Sequence, residues 1–156
     1  MVSRCSWPKS DSMIEYHDRE WGVPLHDDRR LFEYLLLDGA QAGLSWESII
    51  QRREGYREAY DGFDVKVIAA YGEDKIADLL SNPGIIRNRL KVRSSVTNAQ
   101  AYLDLQEECG SFDTYLWDFV GGNPVRNAWT GDGQIPATTE LSDKVSADLK
   151  RRGFKF

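Results

Sequence analysis

Apolar residues recur at helical spacing along almost the whole chain, and nowhere do Val, Ile and Thr alternate over a strand-length run with turn residues on both sides. Over 156 residues this periodicity predicts an all-α fold of about eight helices. The length fits one domain spanning 1–156, large enough to bury roughly two-thirds of the surface of its unfolded chain.

Caps and breakers set the expected boundaries. Ser10 and Asp11 can cap MIEYHDREW, which Gly22 and Pro24 end, and Asp27 or Asp28 can cap RRLFEYLLLDGAQA. Ser45 fits the N-cap of one continuous helix WESIIQRREGYREAY, Asp64 begins VKVIAAY, and EDKIADLL closes at the turn SNPG. The longest helix is expected over IIRNRLKVRSSVTNAQAYLDLQEEC, with Val92, Val96, Ala99 and Leu103 facing the core. Ser111 caps FDTYLWDFV and Ser142 caps DKVSADLKRR. Between these two, GGNPVRNAWTGDGQIPATT is rich in Gly, Pro and Asn and reads as an irregular surface connection.

Cys5 and Cys109 are far apart in sequence and form no CxxC pair, which points to a reducing compartment, the cytoplasm. No apolar run approaches the roughly 20 residues a membrane span needs, so no membrane association is expected. The formal net charge of -5 argues against nucleic acid if taken alone, yet its distribution matters more than its sum. Positive charge gathers in RNRLKVR (87 to 93) and KRRGFKF (150 to 156), which are either solvated helix faces or phosphate-binding patches.

The stretch LLLDGAQAGLSW, residues 35 to 46, places an acid in an apolar stripe. Leu31, Leu35, Asp38 and Ala42 fall at i, i+4, i+7 and i+11, so Asp38 is expected to point toward the core. An unpaired carboxylate there is costly, so it must be hydrogen-bonded, ion-paired, protonated or at the wall of a cavity. Asp38 can reach backbone N–H groups at the helix end, or it can line a pocket. Gly39 and Gly43 mark an expected close approach by backbone or ligand, and Trp46 follows on the next helix. A carboxylate and an indole on adjacent elements suit a flat, polar, cationic ring, although for a single Trp core packing is the commoner role.

The first 21 residues also hold Cys5, Trp7, Tyr16, His17 and Trp21. Cys and His are zinc ligand types, but two of them do not complete a structural site, which takes four. His26 reads as a surface residue, and the sequence around Cys109 gives no sign of ligation. No GxSxG, P-loop, HExxH or GxGxxG occurs, which removes the commonest hydrolase, phosphotransferase and dinucleotide-binding readings.

RCSW near the start, YHDREWGVP (16 to 24), LDGAQAGLSW (37 to 46), RREGYR (52 to 57), NPGIIRNRLK (82 to 91) and KRRGFKF together resemble the type I 3-methyladenine DNA glycosylases. The similarity runs along the whole chain in unbroken order. It implies a helix-hairpin-helix glycosylase fold and an enzyme of base-excision repair that hydrolyses the N-glycosidic bond of 3-methyladenine in alkylated double-stranded DNA. It implies a structural zinc with Cys5 and His17 among its ligands; the remaining two, a His and a Cys, come from a C-terminal tail that family members carry after RGFKF. The chain is therefore expected to be a fragment, with RGFKF as the first part of the DNA-gripping hairpin and NPGIIR as a second candidate turn.

The resemblance also assigns the pocket. Asp38 stands where the family usually carries Glu, as the carboxylate that contacts the flipped base, and the shorter arm is expected to lengthen that hydrogen bond or route it through water. Tyr16, Trp21 and Trp46 are the expected base-stacking or base-bonding residues, with Asp38 as the candidate catalytic group. Arg87, Arg89, Lys91, Arg151 and Arg152 are the candidate phosphate contacts. No lysine is placed for a Schiff base, so a monofunctional hydrolase using water is expected; a monomer is expected as well. The alternatives are a nucleobase-binding module without turnover and a zinc-stabilised scaffold.

Overall fold

The computed structural model describes residues 3–156. Among these the chain forms nine α-helices and no strand. Helix α1 is Asp11–Arg19, α2 Asp28–Gln41, α3 Trp46–Ile50, α4 Arg53–Ala59, α5 Val65–Ala69, α6 Glu73–Ser81, α7 Arg89–Cys109, α8 Phe112–Asp118 and α9 Glu140–Arg151. Short 3-10 turns lie at Asp61–Phe63 and Asp132–Gln134. No helix is long and apolar enough to cross a membrane among the described residues.

The caps act largely as expected. Asp27 accepts from Arg30 N, Ser45 from Ser48 N, Asp64 from Lys66 N and Val67 N, and Ser111 from Thr114 N. Ser10 precedes α1, but its hydroxyl turns to Ser12 and caps nothing. Thr139, not Ser142, caps α9; Ser142 is the third helical residue of a capping box with it. Helix α7 starts at Arg89 because Asn88 accepts from Lys91 N, which leaves Ile85 and Ile86 in the preceding turn.

One predicted helix is two. The segment after Ser45 breaks at Arg52 (φ -99, ψ 2), where Arg52 N closes a tight bond onto Ile49 O and the chain starts again as α4. The break sends Ile49 and Ile50 inward and lets Gly55 pass against the NPG turn, where an added Cβ would stand 2.4 Å from Gly84 O. Only glycine allows that crossing.

The core is built around α7. Phe32, Leu37, Ile49, Tyr60, Phe63, Ile68, Val92, Ala99 and Tyr102 are nearly inaccessible and form one cluster. Leu103 packs at its edge instead of inside it, since Tyr102 and Leu105 hold the inner positions of that turn. On α2 the buried face is Phe32, Glu33, Leu36, Leu37 and Ala40, and Glu33 is compensated by Arg57 at 2.8 Å. Three consecutive leucines admit two stripes, and the chain buries the one without Asp38. The expectation that Asp38 faces the core is therefore corrected: Leu31 and Leu35 are half-buried and Asp38 is exposed.

Candidate nucleobase pocket

Asp38 sits one turn from the C-terminal end of α2, open to solvent yet crowded by surrounding protein. Desolvation alone pushes its carboxyl from 3.8 up to about 6. Both properties fit a carboxylate that water reaches while protein fills most of the space around it. No partner among the described residues relieves it.

Tyr16 lies near enough to that acid to feel its charge, and Trp46 packs against Tyr16. Tyr16 on α1 and Trp46 at the start of α3 meet edge to face, with ring centroids 5.7 Å apart at 61°. The Tyr16 hydroxyl is raised above its ordinary value first by burial and then by the nearby Asp38 charge. The Trp46 Nε1–H lies close enough to that hydroxyl to lower its pKa somewhat, yet at a geometry that leaves the indole donor buried and unpaired. Tyr16, Asp38 and Trp46 thus form one wall of acid, phenol and indole.

Trp21 lies one layer out. It stacks on His17 at 5.3 Å and 19°, while Trp7 contacts Trp21, His17 and Tyr16 with centroids 5.5, 5.1 and 6.5 Å away. Trp7, whose role the sequence left unassigned, joins the outer aromatic layer to the pocket. Trp21 remains 42% exposed, and the cavity it lines, with Pro24, Val125 and Trp129, does not include Asp38.

A second feature escaped the sequence. Glu20 receives Arg53 Nη1 at 2.7 Å and Nη2 at 2.8 Å, and also the Tyr34 hydroxyl. Burial works to raise Glu20, but the Arg53 and Tyr34 hydrogen bonds outweigh it and hold the carboxyl below its ordinary value. This network ties the end of α1 to α2 and α4, and so holds Tyr16 opposite Asp38. Its members are 14 and 33 residues apart in sequence, and no local pattern links them.

The glycines do not mark close approach here. A Cβ at Gly43 would meet nothing within 4 Å, and one at Gly39 only Phe156 at an ordinary 3.5 Å. Gly43 is needed for its backbone: with Ala42 at φ -47, ψ 119, Gly43 at φ +78 and Leu44 N bonded to Gln41 O at 2.6 Å, the segment is a type II turn.

Among the metal-ligand types, His17 holds Asp18 Oδ1 at 2.8 Å through Nδ1, while its Nε2 is buried without a partner. That is how a metal-binding imidazole is oriented, one nitrogen steered by a carboxylate and the other left for the metal. Asp132 accepts from Ser6 N at 2.8 Å and from the Ser6 hydroxyl, and these bonds, with smaller contributions from the nearby Cys5 and His17, hold its carboxyl below its ordinary value. The donor types suit zinc, although no group of three or more His, Cys, Asp or Glu side chains is arranged for a metal among the described residues. Cys109 ends α7 and packs against the core.

The five cations predicted for phosphate separate into two groups. Arg87, Arg89 and Arg151 are exposed. Arg152 is engaged by Glu108 at 2.7 Å and Asp148 at 2.9 Å and lies over the Tyr115 ring. Lys91 turns inward and donates to Ala40 O at 2.9 Å and Ala42 O at 2.5 Å. In the RGFKF turn, Asn98 exchanges two hydrogen bonds with the Lys155 backbone, at 2.9 and 2.8 Å.

Comparison with known proteins bears on the chain as a whole. The family model described as methyladenine glycosylase matches residues 7–156. DNA-3-methyladenine glycosylase 1 of Escherichia coli (strain K12) is 42% identical over 156 residues, covering 99% of this chain and 83% of the relative. A crystal structure of 3-methyladenine DNA glycosylase I superposes with a TM-score of 0.94 at 43% identity, over 98% of this chain and 85% of that one. A structure of the Staphylococcus aureus 3-methyladenine DNA glycosylase I, determined for the basis of its 3-methyladenine recognition, gives 0.92 at 35% identity, over 94% and 78%.

Proposed function

The chain belongs to the methyladenine glycosylase family, and from that premise we propose that it hydrolyses the N-glycosidic bond of 3-methyladenine in alkylated DNA. The observation that carries this reading is the desolvated Asp38 carboxylate, which has no partner among the described residues and whose charge reaches the Tyr16 hydroxyl, beside the Tyr16–Trp46 ring pair. A negative group without a partner among the described residues, beside aromatic rings, fits a flat cation.

Adenine methylated at N3 is cationic while attached to its sugar, so its glycosidic bond is already weakened. Extruding the damaged nucleotide from duplex DNA costs a few kcal/mol, less for a damaged base. Asp38 then accepts from the exocyclic amine and Tyr16 and Trp46 contact the ring, with stacking worth about 1–3 kcal/mol per base in comparable sites. As the bond breaks, positive charge leaves the base and grows on the sugar, so an acid on the base side serves selection more than rate. Water is the nucleophile. Lys91, whose ammonium is held by two carbonyls, offers no amine for a Schiff base.

Cys5 and His17 would contribute two ligands of a structural zinc, which would fix the N-terminal segment beneath Trp7 and Trp21. RGFKF would form the start of the DNA-gripping hairpin, its backbone held in place by Asn98. The protein would act on double-stranded DNA as a monomer in the cytoplasm, a compartment consistent with its two free cysteines.

The test is release of free 3-methyladenine from methylated duplex by zinc-loaded protein, followed by chromatography. Release by the wild-type protein is expected, with Asp38→Asn losing discrimination for the methylated base more than rate; no release by the wild-type protein would sink the reading.

A further inference from the structure

Lys91 is the third residue of α7, but its charge serves another element. Its Nζ donates to Ala40 O at 2.9 Å, in the last turn of α2, and to Ala42 O at 2.5 Å, in the type II turn that follows. Helix α2 has no basic residue in its own last turn. The carbonyl end of a helix attracts a cation, and here the cation comes from a helix fifty residues away in sequence.

The clamped segment joins the two halves of the pocket. Asp38 lies two residues before the first clamped carbonyl, and Trp46 four residues after the second. Between them the turn is closed by its own Leu44 N to Gln41 O bond and, at 3.4 Å, by Gln41 Nε2 to Leu44 O. Both of those bonds stay within the turn, whereas Lys91 fastens it to the core-forming α7. Its stem runs beside Gly39 and Ala40 in the wall of a small cleft. Desolvation alone accounts for the raised Asp38 carboxyl, so Lys91 acts through backbone placement and not through its field at the acid.

We propose that Lys91 is a positioning residue of the nucleobase pocket, its ammonium fixing the distance and orientation between Asp38 and Trp46. This rests on the base-binding reading above. It also removes Lys91 from the phosphate contacts the sequence had assigned to it.

The experiment compares wild type, Lys91→Met, which keeps the aliphatic stem, and Lys91→Arg, whose fork can donate to two carbonyls. Three quantities are read: amide hydrogen exchange at Leu44, affinity for free 3-methyladenine, and the salt dependence of binding to undamaged duplex. Lys91→Met is expected to exchange faster at Leu44, to bind the free base about tenfold more weakly, and to keep the wild-type salt slope, with Lys91→Arg recovering most of both losses. Unchanged exchange and base affinity in Lys91→Met, or a salt slope lower by about one unit, would overturn the proposal. Should the wild type bind no free base, the pocket reading fails, and the exchange at Leu44 still decides whether Lys91 holds the turn. If Lys91→Met does not fold, Lys91→Gln takes its place with the same readouts.

Discussion

Asp38 shows how one residue can be visible in the sequence for a reason that the fold revises. An acid in a leucine-rich helix drew attention because it fell on an apolar stripe, yet the stripe that is buried runs through Phe32, Leu36 and Leu37. The anomaly lies in its surroundings: a carboxyl near 6 with no partner among the described residues. Because the folded value exceeds the ordinary 3.8, the folded state holds the proton more tightly. Its contribution to stability is full below 3.8 and is lost as pH rises through about 6. Recognition of a cationic base needs the ionised form, so function runs the opposite way. We expect kcat/KM on alkylated duplex to rise as pH passes about 6, and Asp38→Asn to abolish that limb while slightly stabilising the protein at neutral pH. A pH–rate profile beside denaturant melts of both proteins checks this; a limb that survives in Asp38→Asn would assign it to another group. Asp38→Glu, with one more methylene, is expected to bind the base more tightly.

At the scale of elements, helix existence was legible because apolar spacing and caps are local signals. The break between α3 and α4 was not, because it is set by the crossing of Gly55 over Gly84, a contact between distant segments. The ion-pair network of Glu20, Arg53 and Tyr34 was hidden for the same reason, although it decides where α1 presents Tyr16. Arg53 and Glu20 each keep only 18% side-chain exposure, so removing one partner leaves the other charge largely buried. Arg53→Met should therefore lower stability by about 2–3 kcal/mol, near the lower end for a broken buried pair. It should also weaken free-base binding, since Tyr16 loses its anchor to α2 and α4. Equilibrium denaturation with a base titration tests both halves; a stability loss with undiminished base affinity would show that the network supports the helices alone.

Over the whole molecule, acidic net charge and a DNA substrate are compatible only if a few cations are free to meet phosphate. The sequence located the clusters but could not say which members the fold consumes, because their partners are remote: Arg152 is claimed by Glu108, 44 residues earlier, and Lys91 by the end of α2. Arg87 and Arg89 stand exposed at the start of α7, and Arg151 is exposed with only a neighbouring acid, Asp148, on its own helix. An exposed pair of that kind is worth little and exchanges readily for a phosphate. Arg87→Ala, Arg89→Ala and Arg151→Ala should thus each reduce the slope of log K against log salt by about one unit. Arg152→Ala should leave that slope unchanged and lower the melting temperature instead, because it loosens α9 from the end of α7. Fluorescence anisotropy on undamaged duplex across a salt series separates the two groups. A slope that falls for Arg152→Ala and for none of the other three would invert the assignment and move the DNA-binding face from α7 to the Glu108 side of α9.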